Sequence, residues 1–335
     1  MSTKEFTMER PRIYAVGNPL IDIIERVSFE FLAETGAERG SMNLVESPEQ
    51  RVTPPNTKGG TRTAGGSAAN TARAIAWVAR ETIETVYCGA VGNDSAADEL
   101  HDELVRAGVV PKLAKKSTVT GSSVVFVTPD HERTMFTHLG ASRSLCIDDL
   151  DLALLSDSSC FHTTGYMWDT PNQEAAVRAA ATAAKAAGTA VSFDVADPFV
   201  ATRYRDSLLE WIPTSVEILF ANESELRTLL GALEHPVEEV AKRAAALAPL
   251  VIMKRGKDGA VVILNGTPQS VPAASVTAVD TTGAGDAFAG GFLSKWAAGR
   301  DPVTAVRFAN LLAAQICTVE GCRFDRLDRE RFQRT

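Results

Sequence analysis

Residues 279–292, VDTTGAGDAFAGGF, concentrate the groups best suited to chemistry. Gly283, Ala284 and Gly285 have no bulk to shield their amides, and the periodic apolar residues that follow, Phe288, Phe292 and Trp296, mark a helix. Bare N–H groups at a helix start, where the peptide dipoles leave positive charge, form a hole for an anion. Asp286 stands inside that start, placed to take a proton from a hydroxyl while the amides hold a phosphoryl group in transit. An Asp there also stabilises the helix end, and spacing alone leaves both roles open. Gly285 is the position where a side chain would block the hole, and a positive φ would suit it.

A second glycine pair, Gly65 and Gly66 in TAGGSAANTARAIAWVA, precedes a helix whose apolar face includes Ile75 and Val78. Asn70 then falls in the first turn, where an amide can bind a polyol approaching over the glycines, or can cap the helix together with Ser67. In GNPLIDII, Asp22 interrupts an apolar run, on the side of Leu20 and Ile24 if the run is a strand. A carboxylate there must be paired, exposed or kept for a ligand, and its two oxygens suit vicinal hydroxyls.

Asn222 and Glu225 follow the strand-like EILF, and Lys254 and Gly256 follow LVIM. In an open parallel sheet all four gather beyond the carboxyl ends of the strands, where ligands bind; as ordinary turns they would only face solvent. Arg133, after the turn PDHE, is either exposed or free to meet a phosphate. Trp168 and Phe136 are candidates to stack on a base or to fill the core. His131, His138 and His162 lack metal-ligand spacing and read as structural. There is no G-x-x-x-x-G-K-[ST], and Phe288 replaces the third glycine of G-x-G-x-x-G.

The elements that position these residues alternate. The helical TPNQEAAVRAAATAAKAAG from Thr170, ended by Gly188, leads to the strand TAVSFDV, and VEILFA, LVIMK and AVVIL follow between further helices. From about residue 140 onward this is repetitive α/β around a mostly parallel sheet. Earlier, SMNLVE, GSSVVFVT and RTMFTHL read as a small separate sheet, a lid, and the polar SPEQRVTPPNTKGGTRTAGG as irregular structure. With 335 residues and 45% hydrophobic content the chain can bury a large core. A net charge of -8 has the wrong sign for a surface that tracks nucleic acid or an anionic membrane. The five scattered cysteines point to free thiols, and the absence of a long apolar run points to a cytoplasmic protein.

Taken in order, GNPLIDI, AGGSAANTA, NESE, KRG and DTTGAGDAF resemble the ribokinase (PfkB) family of carbohydrate and nucleoside kinases across nearly the whole chain. The resemblance implies a single kinase domain over residues 1–335, a ribokinase-like three-layer α/β sandwich with a small β lid contributed by about 12–46 and 119–139. It implies ATP and Mg²⁺ as cofactors, a nucleoside or sugar as small-molecule partner, and a monomer or homodimer. It makes Asp286 the catalytic base; Gly283, Ala284 and Gly285 the anion hole; and Arg133 a lid residue near the phosphates. Asp22, Gly65, Gly66 and Asn70 would bind the acceptor, and Asn222, Glu225, Lys254, Gly256 and Asn310 would bind ATP. Glu225 would order Mg²⁺ through water, and Asp280 and Thr282 lie where relatives bind a monovalent cation such as K⁺. GNPLIDI with SMNL, ERTMFTHLGAS and GYMWDTP look more like the adenosine kinase branch than like ribokinase or fructokinase. The expected reaction is phosphorylation of adenosine by ATP, with a sugar kinase acting on ribose, fructose or a ketodeoxy sugar acid as the alternative.

Overall fold

The computed structural model describes residues 10–47, 60–130 and 132–333; His131 and most of the Pro- and Gly-rich segment lie outside these. Two sheets organise the described residues. Their strands are β1 (Arg12–Val16), β2 (Leu20–Arg26), β3 (Met42–Leu44), β4 (Thr61–Gly65), β5 (Glu84–Val91), β6 (Val110–Lys115), β7 (Gly121–Val127) and β8 (Arg133–His138). The second half adds β9 (Cys160–Thr164), β10 (Ala190–Asp194), β11 (Ile218–Asn222), β12 (Leu250–Lys254), β13 (Ala260–Leu264) and β14 (Thr267–Val271).

The large sheet runs β14-β13-β12-β11-β10-β9-β1-β5-β6, parallel from β12 to β6, with β13 antiparallel to both β12 and β14 at one edge. Both faces are covered, so its central strands are apolar on both sides. In β11, Leu219 and Ala221 face the core under the helices Pro171–Ala187 and Glu223–Leu230, while Ile218 and Phe220 face the one under Ala284–Ala297 and Pro302–Ile316. Helix ends follow local rules: Pro171 occupies the first turn after Thr170, and Gly188 closes that helix at φ +79°.

The small sheet, ordered β3-β8-β7-β2-β4, is the lid. Its outer face packs Val124, Phe126 and Phe136 against the helix Phe29–Glu34. Three expectations need correction. Residues 12–16, assigned to the lid, form β1 in the middle of the large sheet, between β5 and β9. Residues 61–65, read as irregular, form β4, held by an antiparallel ladder to β2 that turn-rich composition conceals. Regular α/β structure also begins well before residue 140, with the helices Ser67–Ala79 and Ser95–Ala107 alternating with β5 and β6. All five cysteines are unpaired, and no helix among the described residues is long and apolar enough to cross a membrane.

Candidate active site

The lid leans over the carboxyl ends of the large sheet's strands, and a cavity of about 450 Å³ lies between them. Strand alternation decides what faces it. Leu20 and Asp22 of β2, Met42 and Leu44 of β3, Ser123 of β7, and Arg133, Met135 and Thr137 of β8 form its roof. The floor carries Thr164, Asp194, Asn222 and Lys254, each the last residue of its strand. The helix starts at Gly66 and Gly283 complete it.

Asp286 sits in the first turn of Ala284–Ala297, with Oδ1 accepting from Ser67 Oγ (2.6 Å) and Oδ2 from Asn70 Nδ2 (2.9 Å). Arg73, missed in the sequence, orients this grip: its buried guanidinium donates to Asn70 Oδ1 (3.1 Å), Ala64 O and Cys322 O. Asn70, expected to hold the acceptor, is therefore also a support for Asp286. Burial pushes the Asp286 carboxyl above its ordinary range, against the Ser67 and Asn70 hydrogen bonds, which is the direction a general base needs.

The positive φ of the glycine run falls at Gly283 (+71°), the helix cap, rather than at Gly285. A Cβ at Gly283 would lie 2.4 Å from Cys322 Sγ, so only glycine fits. The Ala284 amide, expected in an anion hole, is instead engaged by Thr281 O (3.2 Å). Lys254 lies beside this helix start: its Nζ stands 3.4 Å from where a Gly285 Cβ would be.

Lys254 is paired with buried Asp194 (2.7 and 2.9 Å). Burial opposes the lysine's charge, but Asp194 and Glu225 outweigh it and raise its pKa. Asp194 was missed, although a polar residue ending the buried run VSFD, level with Asn222 and Lys254, was the available signal. Asn222 and Glu225 form the capping box of Glu223–Leu230: Glu225 accepts from Asn222 N (2.7 Å) and Nδ2 (2.6 Å), and burial pushes its carboxyl up to about 7. Gly256, at φ +53°, lines the cavity nearby. No group of three His, Cys, Asp or Glu among the described residues could cage a metal alone. This donor set still fits Mg²⁺, which keeps its waters and takes most of its inner ligands from nucleotide phosphates.

The charges of Arg133 and Arg73 favour the ionised form of Asp22, but burial outweighs them and pushes its carboxyl up to about 7. Gly65 lies beneath it, since a Cβ there would sit 2.3 Å from the carboxylate. Gly66 (φ +93°) brings the chain close against Asn18 O. Arg133 Nε lies 3.9 Å from Asp280, whose oxygens already accept from Thr282 N (2.8 Å), Thr282 Oγ1 (2.5 Å) and Gly321 N (2.8 Å). Asn310 is a joint, donating to Val271 O and Pro272 O away from the cavity wall. Trp168 packs on Phe193 and Trp211, and Phe136 on Phe126, so both belong to the core. The aromatic groups that do face the cavity are Tyr166, which lies within GYMWDTP, and Phe199 and Tyr204, which lie outside every motif. His162 is a buried partner of Ser192 (3.0 Å), a structural role.

The profile described as pfkB family carbohydrate kinase matches residues 40–329. An adenosine kinase of Saccharomyces cerevisiae is 29% identical, aligned over 90% of this chain and 93% of its own. An ATP-dependent ribose-1-phosphate kinase of Halopiger xanaduensis is 30% identical over 77% of this chain and 82% of its own. Among solved structures, the adenosine kinase from Sinorhizobium meliloti superposes with a TM-score of 0.86 at 30% identity, covering 93% of this chain and 95% of that one.

Proposed function

The chain belongs to the pfkB family of carbohydrate kinases and is an ATP-dependent kinase, and from that premise we propose that it phosphorylates adenosine on its 5'-hydroxyl, giving AMP and ADP. The observation that carries the choice of acceptor is the cavity end beyond Asp22. Leu20, Met42, Leu44, Met135, Leu139, Phe199, Val200 and Tyr204 make an apolar and aromatic chamber there. A free sugar, polar on every side, would leave that surface facing water; a nucleoside base buries it.

In this reading Asp22 accepts from the ribose hydroxyls and points the 5'-oxygen at Asp286. Asp286 takes the hydroxyl proton as the oxygen bonds to the γ-phosphorus, and the bond to the β,γ-bridging oxygen breaks to release ADP. The Gly283 and Gly285 amides, Lys254 and Arg133 meet the negative charge that spreads over the phosphoryl oxygens. Glu225 and Asn222 would order the hydrated Mg²⁺, which supplies charge neutralisation of the phosphates. Asp280 accepts three hydrogen bonds from Thr282 and Gly321, and none of the steps above is routed through a monovalent cation. All these groups come from one chain, so a monomer suffices, and the unpaired cysteines suit the cytoplasm, where we place the activity.

ADP release from Mg-ATP, measured with adenosine, inosine, guanosine, cytidine, ribose, ribose 1-phosphate and fructose, tests the reading. Adenosine is expected to give the highest kcat/KM. A sugar or sugar phosphate matching or exceeding it would overturn the acceptor and leave the family in place.

A further inference from the structure

Two polar atoms at the acceptor end have no task in the reaction just described. Asp169 follows the turn Gly165–Trp168 and gives Oδ2 to the Arg143 guanidinium (2.6 Å), with its side chain only 6% exposed. Its Oδ1 is buried without a hydrogen-bond partner among the described residues, and so is the Tyr204 hydroxyl. Both residues line the cavity.

The surroundings are heavily hydrogen-bonded. Thr170 and Asn172 bond the Arg143 carbonyl, and Arg143 reaches Glu46 (3.4 Å), just past β3, which places Asp169 under the roof formed by Met42 and Leu44. Asn18 donates to Tyr166 O (3.2 Å), tying the turn to the loop that leads into the strand carrying Asp22. A carboxylate oxygen orphaned in an apolar wall costs more than an ordinary missing hydrogen bond, and such atoms in a native protein call for a partner. Arg143 satisfies half of Asp169. The other half is an acceptor with nothing to accept.

We propose that Asp169 reads an amino group on the acceptor's base: Oδ1 accepts an N–H of the 6-amino group of adenine, and the Tyr204 hydroxyl supplies a neighbouring polar contact. This deepens the adenosine reading and rests on it. A 6-oxo purine turns a lone pair to the carboxylate in place of a hydrogen and is refused; a purine with hydrogen at C6 leaves Oδ1 unpaired, as in the free protein. Asp169 is thus a specificity-determining residue remote from the transferred phosphoryl group.

The test compares adenosine, purine riboside and inosine by calorimetric binding without ATP and by kcat/KM. The parent is expected to prefer adenosine over purine riboside by about tenfold or more, and to discriminate further against inosine, because a buried polar group is left unpaired or opposed. Asp169→Asn is expected to collapse the adenosine-to-purine riboside ratio about tenfold and to improve inosine relative to adenosine, because an amide can donate to an oxo group. Tyr204→Phe lowers the ratio less. A parent ratio within about threefold, or an Asp169→Asn variant that weakens adenosine and purine riboside in equal proportion, overturns the proposal and leaves Asp169 a structural partner of Arg143. Should Asp169→Asn fail to fold, the parent's ratio decides. Adenosine as best substrate with an unmoved ratio sinks only this inference, whereas a sugar as best substrate sinks the reading beneath it.

Discussion

The two ends of the cavity are built on opposite plans. At the transfer end the polar side chains satisfy one another before any ligand arrives: Asp286 with Ser67 and Asn70, Asp194 with Lys254, Asn222 with Glu225. At the acceptor end the wall is largely apolar, and Asp169 Oδ1 and the Tyr204 hydroxyl have no hydrogen-bond partner among the described residues. A self-satisfied cluster is preorganised, so it can stabilise developing charge without rearranging. An unsatisfied wall selects, because only a ligand that supplies the missing partners recovers the cost of their burial.

The contrast can be broken most sharply at the transfer end. Asp286→Asn is expected to lower kcat by about 10²–10⁴ while ATP KM and thermal stability change little, since the amide keeps the shape and loses the base. Retention of more than about a tenth of kcat would remove Asp286 from that role. Lys254→Met is expected to cost about 3–5 kcal/mol in denaturant unfolding, because Asp194 is left buried and unpaired. Adding Asp194→Asn should restore most of that stability and none of the activity; recovered turnover would mean that the lysine serves folding alone.

Asp22 lies between the two plans, and its variants sharpen the comparison. Asp22→Ala should raise the acceptor KM far more than the ATP KM, through loss of charge-assisted hydrogen bonds worth about 1.5–3 kcal/mol each. Its carboxyl binds a proton more tightly folded than unfolded. The ligand-free chain therefore holds that stabilisation below about pH 4 and loses it as pH rises through about 7, while acceptor affinity rises over the same interval as the ionised form appears. Asp22→Asn should flatten the affinity profile; a profile unchanged in the variant would assign the titration elsewhere. The smallest effect is expected behind the roof. Phe136→Leu should cost about 1 kcal/mol of stability and leave the adenosine KM within about twofold, because the ring packs on Phe126 and not on the acceptor.

The same contrast explains what the sequence disclosed. Transfer-end residues lie in short runs, GAGD, NESE and KRG, because a helix start or a strand end presents neighbouring backbone and side chains to one point, and local spacing then carries the chemistry. Asp169, Phe199 and Tyr204 come from separate segments and meet only through packing, so no window of sequence contains the acceptor chamber. Trp168 and Phe136 had the right chemistry for stacking and the wrong direction, which burial decided. β1 escaped notice as a large-sheet strand because its short apolar run Ile13–Val16 looks alike in either sheet until its neighbours are known.

The lid strands are rooted close together, at Leu20, Gly65, Gly121 and His138, which stand in register with one another or within one residue of it. Their far tips are paired as well: Arg26 with Val127, and Val127 with Arg133. At a rise of about 3.3 Å per residue, Asp22 stands about 7 Å from this root line and Arg133 about 17 Å. A rigid tilt of about 10° about the roots would carry Asp22 about 1 Å and Arg133 about 3 Å. In the proposed reaction, leverage would separate the two tasks of one small sheet: Asp22 would ride near the axle and keep its aim on the acceptor, while Arg133, beside Asp280, would travel the longer arc toward and away from the phosphates.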